Sequence, residues 1–298
     1  MSRATLNLNR LLLMLLPLLL CPATVWSQVD TTQSVAFGDS LTDNDSLFLL
    51  FGTDPEIYGA DPFEAVFNKA AAETDQLTNY AVLGSTSSQV LDQVLSYALS
   101  RLQGTSSPAT LISLQAGGND LLTEEILFSF AAAPPGKSKS ADRFANDIRC
   151  NLLSSLMVLR FVDRKADVVI WTIPDVTLTP YVLSYGLDAK SQKNVRLHIE
   201  RLNGTIRALG RSRNVVILDI ADVLTEVALD PPTILGVPLT PPPAFGFGAA
   251  IFADPIHPTA VSNGLLANEL IENLNRKFDD NIPFYSDAEL VTLIGMNP

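Results

Sequence analysis
Cysteine is almost missing from this chain of 298 residues: there are two, Cys21 and Cys150. If Cys21 leaves with an N-terminal leader, Cys150 stands alone and no internal disulfide forms. A domain this long buries enough apolar surface to do without one. Histidine is equally scarce, with only His198 and His257. With no paired cysteines either, the usual zinc ligand sets are not available. Positive charge is in deficit too, 20 Lys and Arg against 32 Asp and Glu. That balance argues against a nucleic-acid partner, which needs a basic surface. Charged residues make up 17% and hydrophobic ones 47%, which excludes disorder along the chain as a whole. No internal repeat is visible, and no linker separates two cores.

The first 27 residues have the pattern of a secretory signal peptide. Arg3 and Arg10 give a positive start, Leu11 to Leu20 is an apolar run broken only by Pro17, and Val25-Trp26-Ser27 supplies a cleavage region. The run is about half of the ~20 residues a membrane span requires. Cleavage near Ser27 is therefore expected, with an uncleaved anchor as the alternative. The remaining chain, 28–298, is expected to be one domain, secreted or periplasmic, with no membrane span. It carries 18 basic and 32 acidic side chains, a formal charge of −14.

Short apolar runs alternate with helical periodicity along that domain. Strands are expected at Ser34 to Phe37, Tyr80 to Leu83, Thr110 to Leu114, Asp167 to Trp171 and Asn214 to Leu218. Helices are expected at Gln89 to Leu102, Arg143 to Val162, Ala189 to Leu209 and Thr259 to Phe278, and Leu47 to Phe51 as a helix or loop wall. Such alternation predicts βαβ units around a parallel sheet of about five strands. Ligands of such sheets sit at the carboxyl ends of the strands. Ala131 to Ser140 is expected to be a flexible surface loop. Pro231 to Gly248 is rich in Pro and Gly yet apolar, which fits either an acyl-pocket wall or a rigid connector packed on the core.

Four short blocks carry chemistry, each at the end of an expected strand or loop. Phe37-Gly38-Asp39-Ser40-Leu41-Thr42-Asp43 puts a serine on a turn just after a buried strand, where an adjacent base can activate it. Asn79-Tyr80-Ala81-Val82-Leu83-Gly84-Ser85 ends in a glycine, which allows close backbone approach. Gly117-Gly118-Asn119-Asp120-Leu121 presents a neutral amide donor. Asp254-Pro255-Ile256-His257-Pro258-Thr259 holds an acid three residues before a histidine, close enough for one loop to orient the imidazole.

This set of blocks, in this order, resembles the GDSL/SGNH hydrolase family, and the resemblance spans most of the chain after the leader. It implies an α/β/α sandwich with a flavodoxin-like parallel sheet. It also implies Ser40 as nucleophile, with Asp254 and His257 completing the triad. The Ser40 and Gly84 backbone N–H groups and the Asn119 side chain become the donors of an oxyanion hole. The implied activity is a serine esterase or lipase that cleaves small-molecule or lipid esters through an acyl-enzyme, with no cofactor. Phospholipase or acyltransferase chemistry at the same site is the alternative, and a catalytically silent binding protein is the rival from another class. Asp39, Asp43 and Asp120 flank the site; the resemblance makes them structural, the alternative being a glycosidase-type carboxylate pair. Leu83 stands where many relatives carry a second glycine, which points to a reshaped acyl side of the pocket. Trp171 and Asp175 are candidates for its border. His198 is expected on a helix surface, and Asn44-Asp45-Ser46 and Asn203-Gly204-Thr205 are glycosylation sequons that matter only in a eukaryotic source.

Overall fold
The structure, a computed structural model, describes residues 28–43, 46–47 and 55–295. The expected leader, Asn44 and Asp45 of the first sequon, and Phe48 to Phe51 of the expected helix or loop wall lie outside the described residues.

Five strands form the centre: β1 (Gln33–Phe37), β2 (Gln76–Asn79), β3 (Leu111–Leu114), β4 (Asp167–Trp171) and β5 (Val215–Leu218). All pair in parallel, in the order β2-β1-β3-β4-β5. Ten helices are described around them: α1 (Pro62–Ala70), α2 (Ser87–Gln103), α3 (Gly118–Leu122), α4 (Glu124–Ala132), α5 (Lys139–Val162), α6 (Pro180–Leu183), α7 (Ala189–Leu209), α8 (Ile220–Leu229), α9 (Ala260–Phe278) and α10 (Asp287–Leu293).

The three layers follow from the pleat, because successive strand residues point to opposite faces. Val35, Phe37, Ile112, Leu114, Val168 and Ile170 pack on the layer of α2, α4, α5 and α7. Ala36, Leu111, Val169, Trp171, Val216 and Leu218 pack on the layer of α1, α8 and α9. Strands covered on both faces read as continuous apolar runs, which is why β3, β4 and β5 are plain in the sequence.

The edge strand β2 is less plain. The expected second strand, Tyr80 to Leu83, is a loop; the ladder is formed by Gln76–Asn79, paired from Gln33↔Gln76 to Ala36↔Asn79. An edge strand needs no apolar run, and this one is polar and mostly exposed. The apolar signal at Tyr80 comes from packing instead, for its ring stacks on Phe37 at 5.4 Å.

Two further expectations are corrected, and one sequon is placed. Residues 131–140 are not one loop: Ala131 and Ala132 finish α4, and α5 begins at Lys139. His198 is fully buried, because its face of α7 packs against α4, where its ring stacks on Phe130 at 4.1 Å. Asn203 is also fully buried, its amide bonded to both the N–H and the carbonyl of Ile173 at 2.8 Å. That sequon is a structural clamp, closed to a glycan.

The segment after α8 forms two small ladders, β6 (Thr233–Ile234) with β7 (Val237–Pro238) and β8 (Thr240–Phe245) with β9 (Ala250–Phe252). Ile234 and Leu239 are buried there with Ile251, Phe252 and Val261.

The order of the sheet sets the place of a site. The chain passes from β1 out to β2, then back across β1 to β3. The crevice at the carboxyl ends of β1 and β3 is thus a topological switch point, where open parallel sheets bind ligands.

Candidate active site
Ser40 sits three residues beyond the end of β1, on a turn closed by the Thr42 and Asp43 N–H groups donating to the Asp39 carbonyl at 3.0 Å each. Gln115, just after β3, fixes this turn from the neighbouring strand. Its side-chain oxygen accepts from the Asp39 N–H at 2.8 Å and its amide donates to the Asp39 carboxylate at 2.9 Å. Leu41 N–H donates to the other Asp39 oxygen at 2.9 Å. Burial pushes the Asp39 carboxyl above its usual range, against those hydrogen bonds. Gly38 is required by space: a Cβ there would lie 2.5 Å from Thr42 Oγ1 and 2.7 Å from Gln115 Oε1.

The fourth block comes to the same point from the opposite end of the chain. It is a loop between β9 and α9, and it brings His257 Nε2 to 2.8 Å from Ser40 Oγ. His257 Nδ1 lies 2.7 Å from Asp254 Oδ2. An ionised carboxylate only accepts, so Nδ1 carries the proton, and Nε2 is left to accept from the serine hydroxyl. Asp254 Oδ1 accepts from the N–H groups of Ile256 at 2.7 Å and His257 at 2.9 Å. Burial raises the Asp254 carboxyl, but the hydrogen bond and charge of His257 and the two backbone donors outweigh it, leaving the group below its ordinary value. All three side chains are buried, with Ser40 7% exposed.

The second and third blocks are stitched together beside them. Asn119 lies in the first turn of α3, which starts from Gly117 at φ +107°. Its side-chain amide donates to the Ser85 carbonyl at 3.2 Å, leaving the second amide hydrogen for another acceptor. The Asp120 carboxylate accepts from the Ser87 N–H at 2.7 Å and the Ser87 hydroxyl at 2.8 Å. Gln93 of α2 joins the Gly38 backbone to the Ser85 hydroxyl. Asp39 and Asp120 are thus structural, each spent on backbone and side-chain donors of the site loops. Asp43 accepts from the Ser46 hydroxyl at 2.9 Å. Gly84, at φ +72°, is exposed in the loop beside Ser85.

A cleft of about 560 Å³, counted with its open mouth, runs from Ser40 and Asn119 along the strand ends. Its walls are mainly apolar: Leu41, Leu122, Pro174, Val176, Leu178, Leu224, Phe252, Ile256 and Pro258. Asp175 lines it, as the sequence suggested, whereas Trp171 stays in the core with its indole N–H on Ser113 Oγ at 2.8 Å. No residue of 231–248 lines it; Ile234 and Leu239 of that segment turn into their own small core, while Leu235, Phe245 and Phe247 are exposed. Nor does Leu83 shape it, being packed against Leu47, Ile57, Tyr58 and Ala253. Gly84 is likewise outside the lining.

Tyr58, Gln93, Gln115 and the cleft residues Leu122, Leu178, Leu224 and Phe252 were not singled out from the sequence. For Gln115 a signal existed, since a polar residue directly ending a buried strand has to find a partner. For the others only the fold supplies one. Among the described residues no group of three or more His, Cys, Asp and Glu side chains is gathered to hold a metal ion, and no described helix is long and apolar enough to cross a membrane.

The sequence profile of the GDSL-like Lipase/Acylhydrolase family matches residues 36–262. Among solved structures, a lipase from a goat rumen metagenome is 17% identical, with a TM-score of 0.55, over 80% of this chain and 96% of its own. An acetylxylan esterase from Geobacillus stearothermophilus, solved as a catalytic mutant, is 14% identical, with a TM-score of 0.50, over 82% of this chain and 94% of its own. No curated protein matches in sequence. With the family profile spanning three quarters of its length, the chain belongs to the GDSL-like lipase/acylhydrolase family and is a carboxylic ester hydrolase.

Proposed function
We propose that the protein hydrolyses esters of apolar acyl groups by a two-step route through an acyl-enzyme on Ser40. The observation that carries this is the continuous chain Ser40 Oγ–His257 Nε2 at 2.8 Å and His257 Nδ1–Asp254 Oδ2 at 2.7 Å, opening on an apolar cleft. His257 takes the serine proton as Oγ attacks the ester carbonyl, and returns it to the departing alcohol. Water then attacks the acyl carbonyl and gives a proton to the same nitrogen, and His257 passes that proton to Ser40 Oγ as it leaves, releasing the acid and restoring the free serine. Asp254 keeps the imidazole in the tautomer that can accept, and stabilises it once charged.

The carbonyl oxygen becomes negative in both steps and needs donors already in place. The free amide hydrogen of Asn119, the Ser40 N–H and the Gly84 N–H are the groups we assign to it. Asn119 lining the cleft next to Ser40 supports its part. The left-handed turn at Gly84, held to Asn119 through Ser85, supports the other. The leader-like residues 1–27, basic then apolar, support export as the setting of this activity.

The test is hydrolysis of p-nitrophenyl esters from acetate to palmitate by the protein and by Ser40→Ala. Wild type is expected to turn over, best on acyl chains long enough to fill the cleft, and the variant to lose about 10⁴-fold or more. A fully active Ser40→Ala protein would overturn the assignment.

A further inference from the structure
Tyr58 lies outside the four blocks and 196 residues from Asp254 in sequence, yet its hydroxyl reaches that buried carboxylate. It donates to Asp254 Oδ2 at 3.0 Å, the same oxygen that accepts from His257 Nδ1. With Ile256 and His257 N–H on Oδ1, both carboxylate oxygens hold two donors each. A buried charge is tolerated only when so compensated. The resulting four-donor cage also leaves the carboxylate no other orientation.

The ring that delivers this hydroxyl is itself fixed. Tyr58 is 1% exposed, packed with Leu47, Ile57 and Ala253. Its carbonyl accepts from Asn263 Nδ2 at 2.9 Å, a residue of α9, the helix that follows the His257 loop. The next residue, Gly59, at φ +59°, passes so close to α9 that a Cβ would lie 2.8 Å from Ala260 Cβ. One helix therefore grips the Tyr58 backbone while the loop at its start receives the hydroxyl. The ring also meets the imidazole edge-on, at 6.3 Å between centroids and 84° between planes.

We propose that Tyr58 is a positioning residue for the reaction, its hydroxyl holding Asp254 aimed and ionised beneath His257. This rests on the proposed triad. The hydroxyl shares the negative charge of Oδ2 with the imidazole. Removing it leaves more of that charge to stabilise the imidazolium, while the carboxylate loses one of its four restraints. Turnover should therefore drop, and the acid limb of the pH–rate profile should move to higher pH.

The experiment measures kcat, KM and the pH profile on a p-nitrophenyl ester for Tyr58→Phe, alone and combined with Asp254→Asn, with circular dichroism and Tm as folding checks. Alone, Tyr58→Phe is expected to lower kcat about 10-fold, change KM less than about two-fold, and raise the acid limb by about half a pH unit. In the Asp254→Asn background the same substitution should change kcat less than about two-fold, because residues acting through one another are not additive. Replacing Tyr58 by 3-fluorotyrosine keeps the ring in place with a stronger donor, and should move the acid limb the other way. That measurement stands in for Tyr58→Phe if the latter folds poorly. Equal losses in both backgrounds, or an acid limb that does not move, would overturn the proposal and leave Tyr58 a packing residue. Full activity of Ser40→Ala would instead overturn the triad on which it rests.

Discussion
His198 and His257 are both buried, but only His257 has both ring nitrogens bonded to side chains. His198 Nε2 lies 3.0 Å from the Ala133 carbonyl, and its Nδ1 has no hydrogen-bond partner. Burial holds the His198 imidazole below the ordinary value of 6.5, so it stays neutral in the fold. A base whose folded pKa is depressed binds fewer protons than in the unfolded chain, so stability falls as pH drops below 6.5. Wild type should therefore lose Tm between pH 7 and pH 5, in part through this group. His198→Phe, stacked on Phe130 in its place, should lose less Tm over that interval than wild type; thermal melts at the two pH values decide it, and equal losses would remove His198 as the cause. The surface placement expected for this residue was a fair inference from Arg196 and Glu200 beside it. What the sequence hid was α4, whose Phe130 covers that face of α7. That Ser40, Asp254 and His257 meet was legible because their blocks fall at the ends of buried strands and loops. Tyr58 was not, since nothing local distinguishes a tyrosine whose partner lies 196 residues away.

The elements that carry the site are rigid because their loops are tied to one another. The turn after β1 is bonded to the residue after β3 through Asp39 and Gln115. The loop after β2 is bonded to α3 through Ser85, Ser87, Asn119 and Asp120. Gly38 is where this network leaves no spare volume. Gly38→Ala forces Thr42 or Gln115 to shift, and with them the turn that aims Ser40. Overpacking of this kind costs about 1–3 kcal/mol, and a misplacement of about 1 Å costs roughly 10²-fold in rate. The expected result is a kcat down by about 10²-fold with a Tm lower by several degrees. An unchanged kcat would show that the turn is not held by these contacts. Strand legibility follows the same logic of cover. β1, β3, β4 and the far-edge β5 announce themselves, as both their faces are covered, whereas β2 is an edge with polar residues and its neighbour Tyr80 supplied a false signal. Helix α1 was missed because its nine residues are few for periodicity. Its start signal, Asp61 before Pro62 with the carboxylate on the Phe63 and Glu64 N–H groups, was nonetheless in the sequence.

The cleft belongs to no single element, and so it was the least legible part. Leu41 follows β1, Leu122 comes after β3, Val176 and Leu178 after β4, Leu224 from α8 after β5, and Phe252 and Ile256 flank Asp254. The segment 231–248 is apolar and near Asp254 in sequence, yet none of it lines the cleft. Of its apolar side chains, Ile234 and Leu239 enter another core while Leu235, Phe245 and Phe247 stay exposed, and the cleft wall is assembled from residues that look like ordinary helix and strand ends. Which of them sets acyl length can be read from side-chain volume. Leu224 is 7% exposed and reaches the cleft from the layer of α8 and α9. Leu224→Trp would add bulk on the cleft side, since the opposite side is packed at core density. An ester with a two-carbon acyl group occupies only the space next to Ser40, and its kcat/KM should change less than about two-fold. Each buried methylene of a longer chain is worth about 0.8 kcal/mol. Excluding two or more of them should lower kcat/KM for a decanoate or palmitate ester by about 10-fold or more. An equal fall on acetate would mean that Leu224 supports the site rather than the chain. An unchanged profile on every ester would place the acyl group outside this cleft.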